Sequence, residues 1–114
     1  MHELSIAQNI IQQIDSYFQD KDIKDKLKKI FLRVGKLTSI VPQNLSFCFE
    51  ILTADTVFKG VQLEIEEVPI QCKCQQCLST FEPGDEGFHC PHCSSSEVML
   101  LTGRELMIES VEVE

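Results

Sequence analysis

No apolar run in this chain approaches the roughly 18 residues of a membrane-spanning helix, so a helical membrane protein is not expected. The N-terminus has an acidic residue at position 3 and no basic stretch before an apolar one, so a signal peptide is not expected either. Basic residues are scarce: 10 Lys and Arg stand against 18 Asp and Glu, for a net charge of −8 over 114 residues. Within residues 70–104 only Lys73 and Arg104 are basic. Such a balance repels phosphate backbones and attracts cations, which works against nucleic-acid binding. Internal repeats and low-complexity tracts are also missing, since Ser94-Ser95-Ser96 is no more than a turn. A hydrophobic fraction of 43% is that of a globular chain. Its length fits one compact unit with a small appended module.

What the chain does have is six cysteines, four of them in two Cys-x-x-Cys pairs, Cys74/Cys77 and Cys90/Cys93, with twelve residues between the pairs. A lone pair would be ambiguous between a redox dithiol and half a metal site. Two pairs at this spacing supply the four thiolates that a tetrahedral zinc takes at about 2.3 Å. Paired spacing without a secretory signal favours reduced thiolates over a disulfide scaffold, and a cytoplasmic protein. With all four positions filled by sulfur, no place remains for an activated water, so the zinc is expected to be structural. Binding one Zn(II) through four thiolates makes the net charge about −10. The turn formers Pro83-Gly84-Asp85-Glu86-Gly87 predict a hairpin-like excursion over 78–89, with Phe81 and Phe88 flanking the metal. Cys72 breaks the knuckle spacing and is not expected to be a ligand. His89 and His92 read first as exposed turn residues, with exchange for a thiolate at low pH as the sharper alternative. Cys48 reads as a small buried hydrophobe.

The periodicities predict an α+β fold. Leu4, Ala7, Ile11, Ile14 and Phe18 follow a 3.6-residue repeat, widened by Ile6, Ile10 and Tyr17, which gives an amphipathic helix over 3–19. Gln8, Asn9, Gln12, Gln13 and Asp15 take its wet side. Asp20 to Lys29 is a charged connector whose Lys24 and Lys28 solvate the surface. Ile30, Leu32 and Val34 alternate as a strand ending at Gly35. Pro42 opens a second helix over about 42–54, with Leu45, Cys48, Phe49 and Leu52 on one face. Val61, Leu63 and Ile65 form a second strand. Leu106 and Ile108 alternate, then Val111 and Val113 take the opposite phase, which predicts a bulge or a change of face near Glu109–Ser110. The cysteine quartet lies before this last strand. The expected architecture is therefore two helices on a small three-stranded sheet, with a zinc-ribbon-like four-cysteine module inserted. That divides the chain into a discontinuous unit, 1–69 with 104–114, and a zinc unit, 70–103.

The chain begins Met1-His2-Glu3. Histidine at position 2 is expected to leave Met1 in place. The α-amine, the His2 backbone nitrogen and its imidazole can then form fused chelate rings around Ni(II) or Cu(II), which accept a tetragonal set of nitrogen donors. The Glu3 backbone nitrogen or carboxylate can fill a fourth position. By chemistry alone the plainer reading comes first, an N-terminal residue that merely frays or starts the helix.

Met1-His2-Glu3-Leu4-Ser5, Val34-Gly35-Lys36-Leu37, Pro42 to Phe49 and the Cys74/Cys77/Cys90/Cys93 quartet together resemble the HypA family, over essentially the whole chain. The resemblance implies a nickel metallochaperone for [NiFe]-hydrogenase maturation, not an enzyme. It implies nickel as cargo at Met1, His2 and Glu3, with His2 the key ligand, and zinc as the structural ion. The partners it implies are the accessory GTPase HypB, the hydrogenase large-subunit precursor and, in some lineages, urease maturation proteins. Some members place an acidic side chain after the first strand as a further nickel ligand. Here Leu37-Thr38-Ser39-Ile40-Val41 offers no carboxylate. The competing readings are a nucleic-acid-binding zinc-ribbon accessory factor, disfavoured by the charge, and a dithiol redox protein.

Overall fold

The computed structural model describes residues 3–84 and 87–114. At its centre is strand β1, Leu27–Gly35. Ile30, Leu32 and Val34 point to one face and are each 1% exposed, which buries a β-branched or leucine side chain at every second position. Each such side chain contributes roughly 1.5–3 kcal/mol of burial. Strand β2, Gln62–Val68, runs parallel to β1 and pairs Leu63 with Ile30 and Ile65 with Leu32. The last strand, called β6 here because three shorter strands precede it, spans Leu106–Val113 and pairs antiparallel on the other side of β1.

The helical layer over this face comes from α1, Glu3–Tyr17, and α3, Pro42–Thr53, which pack on one another. Leu45 and Phe49 of α3 join Ile6, Ala7, Ile10 and Ile14 of α1 in the core. Pro42 sits in the first turn of α3, as expected, and the Thr53 hydroxyl donates to the Phe49 carbonyl at 2.8 Å near its end. Cys48 is half-buried against the core. The buried stripe of α1 is centred on Ile6 and Ile10, while Ile11 and Phe18 are only half-buried. Leu4 and Tyr17 are exposed, Tyr17 by 79%. Both had been expected on the apolar face; the helix is rotated so that its widening residues become its centre.

Two further differences concern the ends of elements. The charged connector contains a short helix, α2, Lys21–Asp25, capped by the Asp20 carboxylate, which accepts the Asp22 N–H at 2.9 Å. Lys24, expected to be merely solvated, reaches Asp15 of α1 at 2.6 Å and anchors that turn. β1 starts three residues before the predicted Ile30. The phase change in β6 is a bulge: Phe31 pairs with Ser110 and Leu32 with Ile108, so Glu109 is the extra residue. It lets both Ile108 and Val111 pack on the core.

A second sheet is built from β3 (Gln71–Cys74), β4 (Thr80–Phe81) and β5 (Val98–Thr102), in the order β4-β3-β5 and antiparallel throughout. Where the chain leaves β2 and returns to β6, the two crossing segments are tied together. The Thr102 hydroxyl donates to the Pro69 carbonyl at 2.7 Å. The Gly103 carbonyl accepts from Leu37 N–H at 2.9 Å, and the Glu105 carbonyl from Gly35 N–H at 2.7 Å. The Glu105 side chain turns back onto its own N–H and onto that of Gly103, at 2.8 Å, with Arg33 nearby; together these hold its carboxyl below the usual range. A Cβ on Gly35 would fall 2.0 Å from the Gly103 oxygen. No side chain fits there, so the glycine lets two backbones touch. Gly35→Ala should therefore cost about 1–3 kcal/mol, the range for overpacking. Urea denaturation checks this; an unchanged midpoint would show that the junction does not depend on the contact.

Candidate metal centre

Two backbone turns deliver the four sulfurs, and they follow the same pattern. In the first, Cys74 N–H donates to the Ser79 carbonyl at 2.9 Å and Leu78 N–H to the Cys74 carbonyl at 3.0 Å. In the second, Cys90 N–H donates to the Ser95 carbonyl and Ser94 N–H to the Cys90 carbonyl, both at 2.9 Å. The residue after each second cysteine is left-handed, Leu78 at φ 63 and Ser94 at φ 64. Backbone amides also face sulfur: Gln76 and Cys77 donate to Cys74 Sγ at 3.4 and 3.5 Å, and His92 donates to Cys90 Sγ at 3.4 Å. These donors favour thiolate over thiol.

The turns bring Cys74, Cys77, Cys90 and Cys93 together with all four Sγ atoms within 4.8 Å of one another. Cys74 to Cys93 and Cys77 to Cys90 are each 3.5 Å. Four sulfurs at about 2.3 Å from one tetrahedral ion stand about 3.8 Å apart. The quartet therefore fits zinc with adjustments of a few tenths of an ångström along these two edges. The thiols do not titrate alike. The Ser79 hydroxyl and N–H, then Cys90, hold Cys77 down at about 6. Against the Ser95 N–H, which pulls the other way, Cys74 and burial push Cys93 up to about 12. Hydrogen bonds from the Cys77 and Gln76 amides lower Cys74. The sulfurs are thus too close to ionise together without a cation.

Cys72 shares β3 with Cys74 but stays out of the cluster; it is fully buried, pairs across to Phe81 and Leu100, and burial raises its thiol pKa. His89 and His92 are exposed and belong to no metal-binding group among the described residues. Phe81 is half-buried and sits across from Cys72 in the sheet, while Phe88 is exposed. The matched left-handed positions were not foreseen: glycine or asparagine would have marked them, and Leu78 and Ser94 do not. Of the N-terminal donors, Met1 and His2 lie outside the described residues. Glu3 opens α1, and its Oε2 accepts the Val41 N–H at 3.1 Å, ahead of the first turn of α3.

A family model described as "Hydrogenase/urease nickel incorporation, metallochaperone, hypA" matches residues 1–113. The chain belongs to the HypA family. The hydrogenase maturation factor HypA of Desulfatibacillum aliphaticivorans is 42% identical over 113 residues, covering 99% of this chain and 87% of its own length. That of Desulfosudis oleivorans is 41% identical, covering 99% and 98%. The solution structure of the Ni metallochaperone HypA from Helicobacter pylori shares the fold, with a TM-score of 0.66 at 23% identity over 99% of this chain and 97% of that one. A solution structure of HypA protein gives 0.70 at 22% identity over 100% and 97%. The family is one of metallochaperones, so its business is metal transfer rather than catalysis.

Two outcomes follow for the cluster. Protons compete with metal for the same sulfurs, so apparent zinc affinity should rise steadily from about pH 6 upward, with protons released on binding. Competition with a chromophoric chelator across that range checks it, and a flat profile would contradict it. Leu78 is 66% exposed, so Leu78→Gly removes little packing while relieving a left-handed leucine. Zinc-loaded protein should gain up to about 1 kcal/mol, read as a higher melting temperature and slower zinc loss to the chelator. A lower melting temperature would show that the leucine packs usefully.

Proposed function

We propose that this HypA-family chain captures Ni(II) through the Met1 amine, the His2 backbone nitrogen and imidazole, and Glu3, and hands it on for [NiFe]-hydrogenase maturation. The observation that carries this reading is the family match, which spans residues 1–113 and so includes the Met-His-Glu start. The geometry around Glu3 supports it. One carboxylate oxygen is engaged by the Val41 N–H, which favours the Glu3 backbone nitrogen as the fourth donor. That nitrogen belongs to the first turn of α1, where ligation breaks no intrahelical hydrogen bond. Three or four nitrogens in one short segment suit a tetragonal Ni(II). Ligands so close to a chain terminus exchange readily, which suits delivery better than storage.

In this reading Cys74, Cys77, Cys90 and Cys93 hold one structural zinc. The ion supplies the folding free energy that a module of about 30 residues cannot draw from its own core. The chain then works as two units, residues 1–69 with 104–114 for nickel and 70–103 for zinc, in the cytoplasm. Its partners are the accessory GTPase HypB and the large-subunit precursor of the hydrogenase. Urease maturation proteins are further candidates, in keeping with the family description.

The decisive measurement is nickel-edge absorption with calorimetric titration on untagged protein. His2→Ala should abolish tight nickel binding and leave one zinc per chain. Adding a single glycine ahead of Met1 should do similar damage by displacing the amine. Stoichiometric, equally tight nickel in the His2→Ala protein would overturn the ligand assignment.

A further inference from the structure

Between α1 and the edge strand β6 the helical layer leaves a furrow. Two cavities of about 110 and 330 Å³ open along it, and Gln13 and Ile108 border both, so they are stretches of one groove. Its deep end reaches Leu32 of the central strand, and its far end passes Phe18 and Val111. Among the described residues Glu109, the bulged residue of β6, is the only charged side chain along it. At the far lip Tyr17 stands 79% exposed, edge-on to Phe18 at 4.9 Å between ring centroids.

β6 pairs with β1 on one side, and among the described residues no strand covers its other side. An open strand edge beneath a helix is the arrangement that takes up an extended peptide: main-chain bonds go to the edge, and alternate side chains go under the helix. The charges decide what kind of peptide fits. β6 has Glu109 and Glu112 and no basic residue. A second copy laid antiparallel on the same edge would crowd four glutamates onto one short strand pair of a protein already at net charge −8, which is unfavourable. The opposite edge, β2, also carries glutamates, and the space beside it is closed over by α3 through Pro42, Ser46, Phe47 and Glu50, with a further acidic side chain, Glu50, on the helix itself.

We propose that the α1–β6 groove binds an extended segment of a partner protein as a fourth strand of the core sheet. Apolar side chains at alternate positions fill the groove, and Lys or Arg between them meets Glu109 and Glu112. The proposal stands on the groove alone and is independent of the nickel ligands.

A phage-displayed library of random twelve-residue peptides, panned on zinc-loaded, nickel-free protein, tests it. Enriched sequences should alternate apolar residues with Lys or Arg. Synthesised, they should slow amide exchange in residues 106–113. Gln13→Trp, an exposed substitution that fills the groove, and Glu109→Lys should each weaken them by about tenfold or more, while both variants still hold one zinc. Several results would overturn the proposal. They are no enrichment, enriched peptides lacking basic residues, protection along 62–68 instead, or binding indifferent to Gln13→Trp. A concentration-dependent dimer abolished by Gln13→Trp would overturn it in favour of a second copy.

Discussion

Four sulfur atoms held within 4.8 Å of one another cannot all carry charge unless a cation sits among them. The backbone around them has already committed to the charged form, with amides of Gln76, Cys77 and His92 directed at sulfur. The module beyond the core depends on that tension. Its sheet has one strand of two residues and one of four, and its buried side chains are chiefly Cys72, Cys74 and Cys90. Without an ion, repulsion or protonation would spread the turns apart, and little apolar burial would oppose it. With one, the same short distances become attraction.

The core obeys a different rule. Its centre is a single strand whose alternate residues are nearly sealed from water, flanked by strands that share the same inward face. The two regions meet where the backbones at Gly35 and Gly103 touch, through main-chain hydrogen bonds reinforced by the Glu105 carboxylate and the Thr102 hydroxyl. Metal-driven order on one side is thereby joined to hydrophobic order on the other, without either needing the other's chemistry.

Much of this was readable from residues. Ile30-x-Leu32-x-Val34, the Pro42 helix start and the break in phase at Glu109–Ser110 each became the expected element, because burial on one face leaves a period that sequence preserves. The cysteine quartet was equally legible, since metal geometry permits few spacings. What escaped lacked such a signature. α2 is a single polar turn held by the Asp20 cap and the Lys24–Asp15 pair, and the Asp20-x-Asp22 pattern was its one clue. β3 and β5 are too short for alternation to show, and the cysteines in Gln71–Cys74 read as ligands before they read as a strand. Tyr17 and Leu4 fit the helical period as well as Ile6 and Ile10 do. Only the position of α3 decides which of them face inward.

The module interrupts the core between β2 and β6, and the strand that follows it returns to pair with the central strand β1. One flank of β1 therefore stays open until more than thirty further residues have been made. During synthesis the nascent chain presents a half-covered sheet while its metal ligands are still emerging. Zinc uptake shortens the long detour between β2 and β6 and so lowers the entropic cost of bringing the last strand home. Zinc supply would then influence how quickly the core sheet is completed, a kinetic dependence of one metal's carrier on another metal's availability.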